Sequence, residues 1–285
     1  MTEGPWAATP RHLFNIELFF RRIVDYLQLF QHTERQRVSD DHRTTIAPQS
    51  LTRPLLVLIL SQLGDFDSLE YAWWLQKEAD LCRRVDLDYV AVGIGDRRSG
   101  QKFCDYTGFP PEKLFIDPNA TLHQELDLYP GLTWKIPGLK AGQNAWVNLM
   151  LMCAGIGSPG TLREVFRGYT GDKKAPQLFA DDEVVKAPPL PALKGEFFAA
   201  AGGKGFQRPL ELATLRLRNM AEVLGNWSTY VPDAQYMTQR GATFLFNADG
   251  TLQYKHLDRN ILGFATNMSR PLSFLESLPE VQRIP

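Results

Sequence analysis

The segment 54-PLLVLIL-60 constrains the fold more than any other part of the chain. Every residue after Pro54 is apolar, and a continuous apolar run of this length is typical of a strand that is buried on both faces of a helix-covered sheet. The polar turn 61-SQLGDFDS-68 follows directly and leads into a predicted helix over 67–83. This order predicts an α/β protein, and it directs attention to the turn at the carboxyl end of the strand.

The alternation of strand and helix continues along the chain. Further strands are predicted over 87–94 and 113–117, helices over 99–106, 118–129, 142–153, 159–167, 209–225 and 271–278, and an antiparallel hairpin over 241–258 that turns at Asn247-Ala248-Asp249-Gly250. Parallel strands that come first and an antiparallel hairpin that comes last predict a thioredoxin-like α/β fold, with a central mixed sheet flanked by helices.

The N-terminal part of the chain has a different pattern. Residues 11–31 repeat apolar side chains at helical spacing, which predicts an amphipathic helix that packs on the domain or on a partner, with peripheral membrane contact as the weaker alternative. Residues 32–50 are polar and predict a linker. We therefore expect an N-terminal helix and linker over 1–50 and the main domain over 51–285.

The pattern also loosens between the third strand and the hairpin. Residues 130–235 predict a large insertion in the domain. Its segment 170–195 is rich in Pro, Lys and Asp, and such a composition is typical of a surface loop.

Charge and hydropathy argue against several classes of partner. The 285 residues carry a net charge of −1, with Lys and Arg scattered along the chain, so no global field favours nucleic acid. No segment reaches the roughly 18–20 consecutive apolar residues that a transmembrane helix needs. The first residues do not show a charged start followed by an apolar core, so we expect no signal peptide and a cytoplasmic protein.

The three cysteines are candidate reactive groups, although buried free thiols are the simpler interpretation. Their spacing suits neither a metal site nor a redox pair, and the five histidines form no cluster, so we predict no metal and no cofactor. Cys104 lies on a predicted amphipathic helix, where burial is the expected state and a partly exposed, redox-sensitive thiol is the alternative. Cys82 lies beside two arginines, and Cys153 lies in an apolar run and is expected to be structural.

Several segments together carry a resemblance to a known family. They are 55-LLVLILSQLGDFDSLEYA-72, 90-VAVGIGDRRSGQKFCDYTGFP-110, 115-FIDPNATLHQELDLY-129, 160-GTLREVFRGYTGD-172 and 241-GATFLFNADGTLQYKH-256. This set resembles the peroxiredoxin-like branch of the alkyl hydroperoxide reductase/thiol-specific antioxidant family, in the form found in cyanobacteria and plastids. The resemblance implies a thioredoxin-like fold, thiol redox chemistry and a plastid as an alternative location.

The chain departs from that family at the turn. There the family has Cys-x-x-Cys at a helix start, where the helix dipole lowers the cysteine pKa, whereas aligning Gly64 puts Asp65 and Ser68 at the two cysteine positions. A carboxylate cannot pass through the sulfenic and disulfide states that peroxide reduction uses. We therefore interpret the turn as a vestigial site made of Gly64, Asp65, Phe66, Asp67 and Ser68. A converted site with Asp65 or Asp67 as a base, or a ligand or partner surface, remains an alternative.

Two functions follow from these observations. The first is a redox-inactive protein that acts as a binding or accessory subunit for a protein partner, in a photosynthetic complex if the cyanobacterial resemblance extends to function. Phe66, Trp73 and Trp74 are the predicted partner surface, unless the N-terminal helix covers the two tryptophans. The second is an atypical thiol-dependent antioxidant that uses Cys104 or Cys82.

Overall fold

A computed structural model describes residues 25–280 of the chain. In chain order the helices and strands are α1 (Tyr26–His32), β1 (Glu34–Arg37), β2 (Arg43–Thr45), β3 (Leu55–Gln62), α2 (Phe66–Lys77), α3 (Ala79–Arg84), β4 (Asp88–Ile94), α4 (Arg97–Thr107), β5 (Leu114–Ile116), α5 (Thr121–Glu125), α6 (Ala141–Cys153), α7 (Thr161–Thr170), β6 (Val184–Val185), β7 (Leu193–Lys194), α8 (Glu196–Ala199), α9 (Glu211–Gly225), α10 (Trp227–Tyr230), β8 (Ala242–Phe246) and β9 (Leu252–Leu257). The predicted final helix is a short 3-10 helix, Ser273–Ser277.

Seven strands form one mixed sheet in the order β2-β1-β5-β4-β3-β8-β9. The three central strands β5, β4 and β3 are parallel, whereas β8 pairs antiparallel with β3 and β9 antiparallel with β8. Helices cover the sheet, and this arrangement confirms the predicted thioredoxin-like α/β fold. The hairpin between β8 and β9 also lies where the Asp-Gly turn predicts it.

Strand β3 is the centre of the hydrophobic core because it is buried along its whole length. Its side chains alternate between the two faces of the sheet, as the period of two requires. Leu56, Leu58 and Leu60 face the cluster that contains α2 and α4, whereas Leu55, Val57 and Ile59 face the cluster that contains α1 and the hairpin. The strand is thus fixed from both sides, and so is the point at which the following turn leaves it.

The prediction of a linker over 32–50 is wrong. Strands β1 and β2 form a hairpin, and β1 pairs antiparallel with β5, so this segment extends the sheet at one edge. Its strands are polar because they lie at the edge, where most of their side chains are only half-buried. Of the predicted helix over 11–31, only the part after residue 24 lies within the described residues, and there Phe30 packs on Phe244 of β8.

Residues between α5 and β8 supply the helices α6 to α10, which cover one side of the turn. The prediction of a surface loop over 170–195 is wrong in part, because Leu178 and Phe179 are fully buried in the main core. Prolines and charged residues dominate the composition of this segment. The composition alone therefore does not indicate that its two large apolar residues are buried. Within residues 25–280, no helix combines the length and the apolar character needed to cross a bilayer.

Candidate functional site

The turn between β3 and α2 begins at Gly64, where the chain passes close to α10. A Cβ atom on Gly64 would lie 2.7 Å from Cβ of Tyr230, so a larger residue would clash there. Asp65 is the N-cap of α2, and its carboxylate accepts a hydrogen bond of 3.0 Å from the backbone N–H of Asp67. The sequence predicts a helix that begins at residue 67, whereas α2 begins at Phe66 with Asp65 as its N-cap, and Asp65 occupies the position at which the family resemblance implies a cysteine.

Arg240, which precedes β8, reaches the same turn and is 1% exposed. Its guanidinium donates to Asp65 Oδ2 and, at 3.1 Å, to Asp67 Oδ2. Its Nε donates to the carbonyl oxygen of Thr238 at 3.0 Å. We refer to Asp65, Asp67 and Arg240 as the Arg240 cluster. The sequence interpretation missed the arginine, because no local pattern links positions that lie 175 residues apart.

Asp67 is the most deeply enclosed acid of the Arg240 cluster. Burial raises its pKa well above the ordinary value, the negative charge of Asp65 raises it further, and Arg240 opposes the shift. Both oxygens of Asp67 also accept the backbone N–H of Leu262, at 2.7 and 3.0 Å. The carboxyl thus joins the start of α2 to the segment after β9, and its burial favours retention of a proton.

A further carboxyl lies near the cluster on the segment that follows β9. Asp258 is buried, its Oδ1 makes no hydrogen bond within the described residues, and burial raises its pKa to about 7. The attraction of Arg240 opposes this shift. Burial outweighs this attraction, so near neutral pH Asp258 is close to half protonated.

Ser68 occupies the second position at which the resemblance implies a cysteine. It is buried, its hydroxyl donates to the carbonyl oxygen of Gln62 at 3.0 Å, and the hydroxyl of Ser61 lies 3.1 Å away. These contacts hold the serine against the end of β3. The hydroxyl has no acid-base partner within reach that would activate it as a nucleophile, since the recorded neighbours are a carbonyl and another hydroxyl.

The space beside this turn is too small for a substrate. The cavity that Ser61, Asp67, Ser68, Thr243 and Asp258 help to line has a volume of about 10 Å³, which is close to the minimum that holds one water molecule. The cluster is therefore closed and filled with oxygen and nitrogen atoms. In this conformation it can stabilise the start of α2, but it offers no room for a peroxide.

A comparison with known protein families identifies the relationship. The family described as AhpC/TSA antioxidant enzyme matches residues 74–260, about two thirds of the chain. The chain belongs to the AhpC/TSA family. The match begins at Trp74, so it leaves out the turn with Asp65 and Ser68. No curated protein matches the chain.

The environment of each thiol decides whether this AhpC/TSA family protein can use thiol chemistry. Cys82 is 7% exposed and Cys104 is 6% exposed, as their interpretation as buried free thiols predicts, and the alternative of a partly exposed Cys104 is wrong. Burial raises the pKa of Cys82 to about 11 and that of Cys104 to about 12, and the carboxylates of Glu78 and Asp105 add to the respective shifts. Both thiols are therefore neutral at physiological pH and shielded from solvent, the opposite of an activated cysteine.

Cys153, at the end of α6, is the cysteine whose pKa is affected by the charged residues of the turn. It is half-buried and packs with Leu262 and Phe66 in a small apolar cluster. Burial raises its pKa, and the negative charges of Asp65 and Asp67 raise it further. The sequence predicts an inert structural residue here and gives no sign that the chain brings this thiol towards Asp65. Its raised pKa disfavours the thiolate that AhpC/TSA chemistry would need.

The predicted partner surface does not form as expected. Trp74 is 1% exposed, and Trp73 is half-buried with its ring centroid 6.3 Å from that of Phe179. Phe179, from the region between α5 and β8, packs on Trp73. Trp74 lies beside α3 and residues 270–276. The described part of the predicted N-terminal helix, α1, packs on the opposite face of the sheet, and the rest of that helix lies outside the described residues. Phe66 does not join the two tryptophans in one surface, because it lines a large cavity beside α7 and α9.

A second buried ion pair holds α2 in place. Glu70 is fully buried, and Arg216 of α9 donates to its two oxygens at 2.7 and 3.1 Å. Arg216 also donates to the carbonyl oxygen of Glu164 on α7 at 2.9 Å. The side chain of Arg216 thus links α9 to both α2 and α7. Among residues 25–280, no group of three or more His, Cys, Asp or Glu side chains is placed to hold a metal ion.

Proposed function

We propose that this AhpC/TSA family protein is redox-inactive at the family turn and acts by binding, as an accessory subunit for a protein partner. The observation that carries this proposal is the ion pair between Arg240 and Asp65. On the alignment that the resemblance implies, this carboxylate and its counter-ion stand where thiol chemistry would require a cysteine. The cavity of about 10 Å³ that Asp67 and Ser68 help to line supports the same conclusion, because it leaves no room for a substrate at these two side chains.

The chemistry of the replaced residues also supports inactivity. Peroxide reduction by a thiol forms a sulfenic acid and then a disulfide, and neither step is open to the oxygen atoms of Asp65 and Ser68. A base role for Asp65 would require a substrate proton within hydrogen-bond distance. The carboxylate instead bonds the N–H of Asp67 and the guanidinium of Arg240. Its bonds are those of a helix cap and an ion pair.

The alternative is a thiol-dependent antioxidant that uses Cys104 or Cys82. This function would require each thiol to reach substrate and to ionise, whereas both are almost fully buried and their pKa values are raised to about 12 and about 11. Cys153 is the more exposed of the three, and its position near Asp65 makes it the thiol to include in any test.

Peroxide consumption in the presence of dithiothreitol tests the redox part of the proposal. The wild-type protein is compared with Cys82→Ser, Cys104→Ser and Cys153→Ser, with a peroxiredoxin that has an intact cysteine pair as positive control. We expect wild type and all three variants to match the protein-free background. Turnover by wild type that disappears in any one variant would establish a thiol enzyme and overturn the proposal.

The partner part rests on exposed apolar residues on and near α6. Trp146 stacks on Trp227 with ring centroids 4.8 Å apart, and Met150, one turn further along the same helix, is 52% exposed. Exposed aromatic and Met side chains are enriched at protein interfaces. Native purification followed by mass spectrometry of co-eluting chains tests for a stoichiometric partner, and it also tests the photosynthetic setting and the plastid or cytoplasmic location that the resemblance suggests.

A further inference from the structure

A cavity of about 620 Å³ opens between α7, α9 and the segment around β7 and α8. Phe66, which follows the N-cap of α2, and Leu262, whose N–H bonds Asp67, both line it. Phe198 of α8 contributes a fully buried wall. The volume lies within the roughly 300–1,000 Å³ range that is typical of small-molecule sites. The cavity is thus large enough for a ligand and is built on the best-packed elements of this side of the domain.

The walls of the cavity are almost entirely carbon. Leu217 and Met220 of α9 face Val165 of α7 across it. Of the described residues that line the cavity, Arg216 alone carries a charge, and its guanidinium is already bonded in two places to the buried carboxylate of Glu70. An anionic ligand would have to compete with this pair, whereas an uncharged ligand leaves it intact. The charge balance therefore favours a neutral occupant.

The mouth of the cavity exposes large apolar side chains to water. Phe197 is 52% exposed, Tyr169 is 56% exposed and Met220 is 37% exposed. Apolar area left in water costs about 25 cal/mol for each Å² that a ligand would cover. Thr214 and Tyr169 bring hydroxyl groups to the lining, which suits a ligand with a single polar end. The surroundings thus combine an apolar interior with a few weakly polar positions.

We propose that this cavity binds a neutral, mainly hydrocarbon small molecule with one hydroxyl-type polar end. This inference goes beyond the protein-binding role proposed above, because it concerns a different surface and a different class of ligand. The site lies next to the start of α2, so an occupant would contact Phe66 and the backbone segment that carries Leu262. The turn inherited from the family would then form part of the wall of a ligand site.

Fluorescence titration of the full chain with the neutral apolar dye Nile red tests this proposal. We expect saturable binding of one dye per chain and its displacement by hexadecan-1-ol at lower concentrations than by hexadecanoate. Ala213→Phe fills the cavity from α9, and it should weaken binding by about tenfold or more. Ala221→Phe is the matched control, because it lies on the same helix outside the cavity and should leave binding unchanged.

A second pair of variants keeps the test valid if Ala213→Phe does not fold. Met220→Glu places a charge at the partly exposed rim and should also abolish dye binding, whereas Leu224→Glu, one turn further along α9 and 54% exposed, should not. Absence of saturable binding, or equal binding by Ala213→Phe and Ala221→Phe, would overturn the proposal. The proposal would also be overturned if the dye bound only to the full-length variant Phe20→Ser, which alters the apolar segment 11–31. That segment itself would then be the occupant of the cavity. None of these results depends on peroxide turnover.

Discussion

Replacement of Arg240 by Met should destabilise the protein strongly at neutral pH. The guanidinium bonds the carboxylates of Asp65 and Asp67 and the carbonyl oxygens of Thr238 and Met237, all in a region closed to solvent. Removal of one partner of a buried ion pair costs about 3–5 kcal/mol, because the other charge stays buried without compensation. A cost within this range is expected here, because one guanidinium donates hydrogen bonds to both Asp65 and Asp67.

The stability lost in Arg240→Met should also depend on pH. Without Arg240, Asp67 loses the positive charge that opposes the rise of its pKa, so the pKa of Asp67 in the folded variant lies further above its value in the unfolded chain. The folded variant then binds more protons than the unfolded chain, so its stability rises as the pH falls. The difference between wild type and variant should therefore shrink between pH 7 and pH 5. Urea is the suitable denaturant, because guanidinium would screen the charges under study.

Two further variants make the result interpretable. Arg270→Met removes an exposed ion pair with Glu276 and should cost less than about 1 kcal/mol. The triple variant Asp65→Asn/Asp67→Asn/Arg240→Met removes all three charges and should recover part of the stability lost in Arg240→Met. If Arg240→Met costs no more than Arg270→Met, and its deficit is the same at pH 5 and pH 7, the account of the Arg240 cluster is refuted.

The remaining predictions concern Asp258 and two glycines, with urea unfolding as the common measurement. Because burial raises the folded pKa of Asp258 to about 7, this group makes the wild type less stable as the pH rises from about 4 to about 7. Asp258→Asn should therefore gain stability relative to wild type over that interval, and a constant difference would contradict the shift. Gly64→Ala meets Tyr230 and should cost about 1–3 kcal/mol. Gly142 lies on α6, and a Cβ atom added there would meet no neighbouring atom within 4 Å, so Gly142→Ala should stabilise the protein by about 0.5–1 kcal/mol. Equal changes in stability for Gly64→Ala and Gly142→Ala would refute the packing argument.

The strands and helices that carry a strong apolar period could be predicted from the sequence. Strand β3 and the hairpin of β8 and β9 lie where their patterns predict them, because burial on one or both faces leaves a direct mark on the residue types. The hairpin of β1 and β2 could not be predicted in this way. Strand β1, 34-ERQR-37, lies near the sheet edge and keeps polar side chains, so its pairing with β5 leaves no such mark.

The candidate site shows the same limit more clearly. The turn between β3 and α2 could be located from the sequence, since a strand, a glycine and polar residues at a helix start are local signals, but the residue that caps the helix could not. Burial of Cys104 is the simpler interpretation of the sequence, whereas the approach of Cys153 to the turn depends on how helices pack, and helix packing is not encoded in any short pattern. The large cavity likewise arises from the spacing between α7 and α9, so the sequence indicates its apolar residues without indicating the space between them.

The position of Arg240 follows from the topology of the sheet. Strand β8 runs antiparallel to β3 with Ile59 opposite Ala242, so residues just before β8 must lie beside the residues just after β3. The long side chain of Arg240 extends from this place to the turn and bonds Asp65 and Asp67 there. Two carboxylates at this closed turn require a cation, and the register supplies one place on the neighbouring strand from which it can come. The acids of the turn and the arginine before β8 are thus one structural unit, so replacing the acids without the arginine would leave an equally unpaired charge.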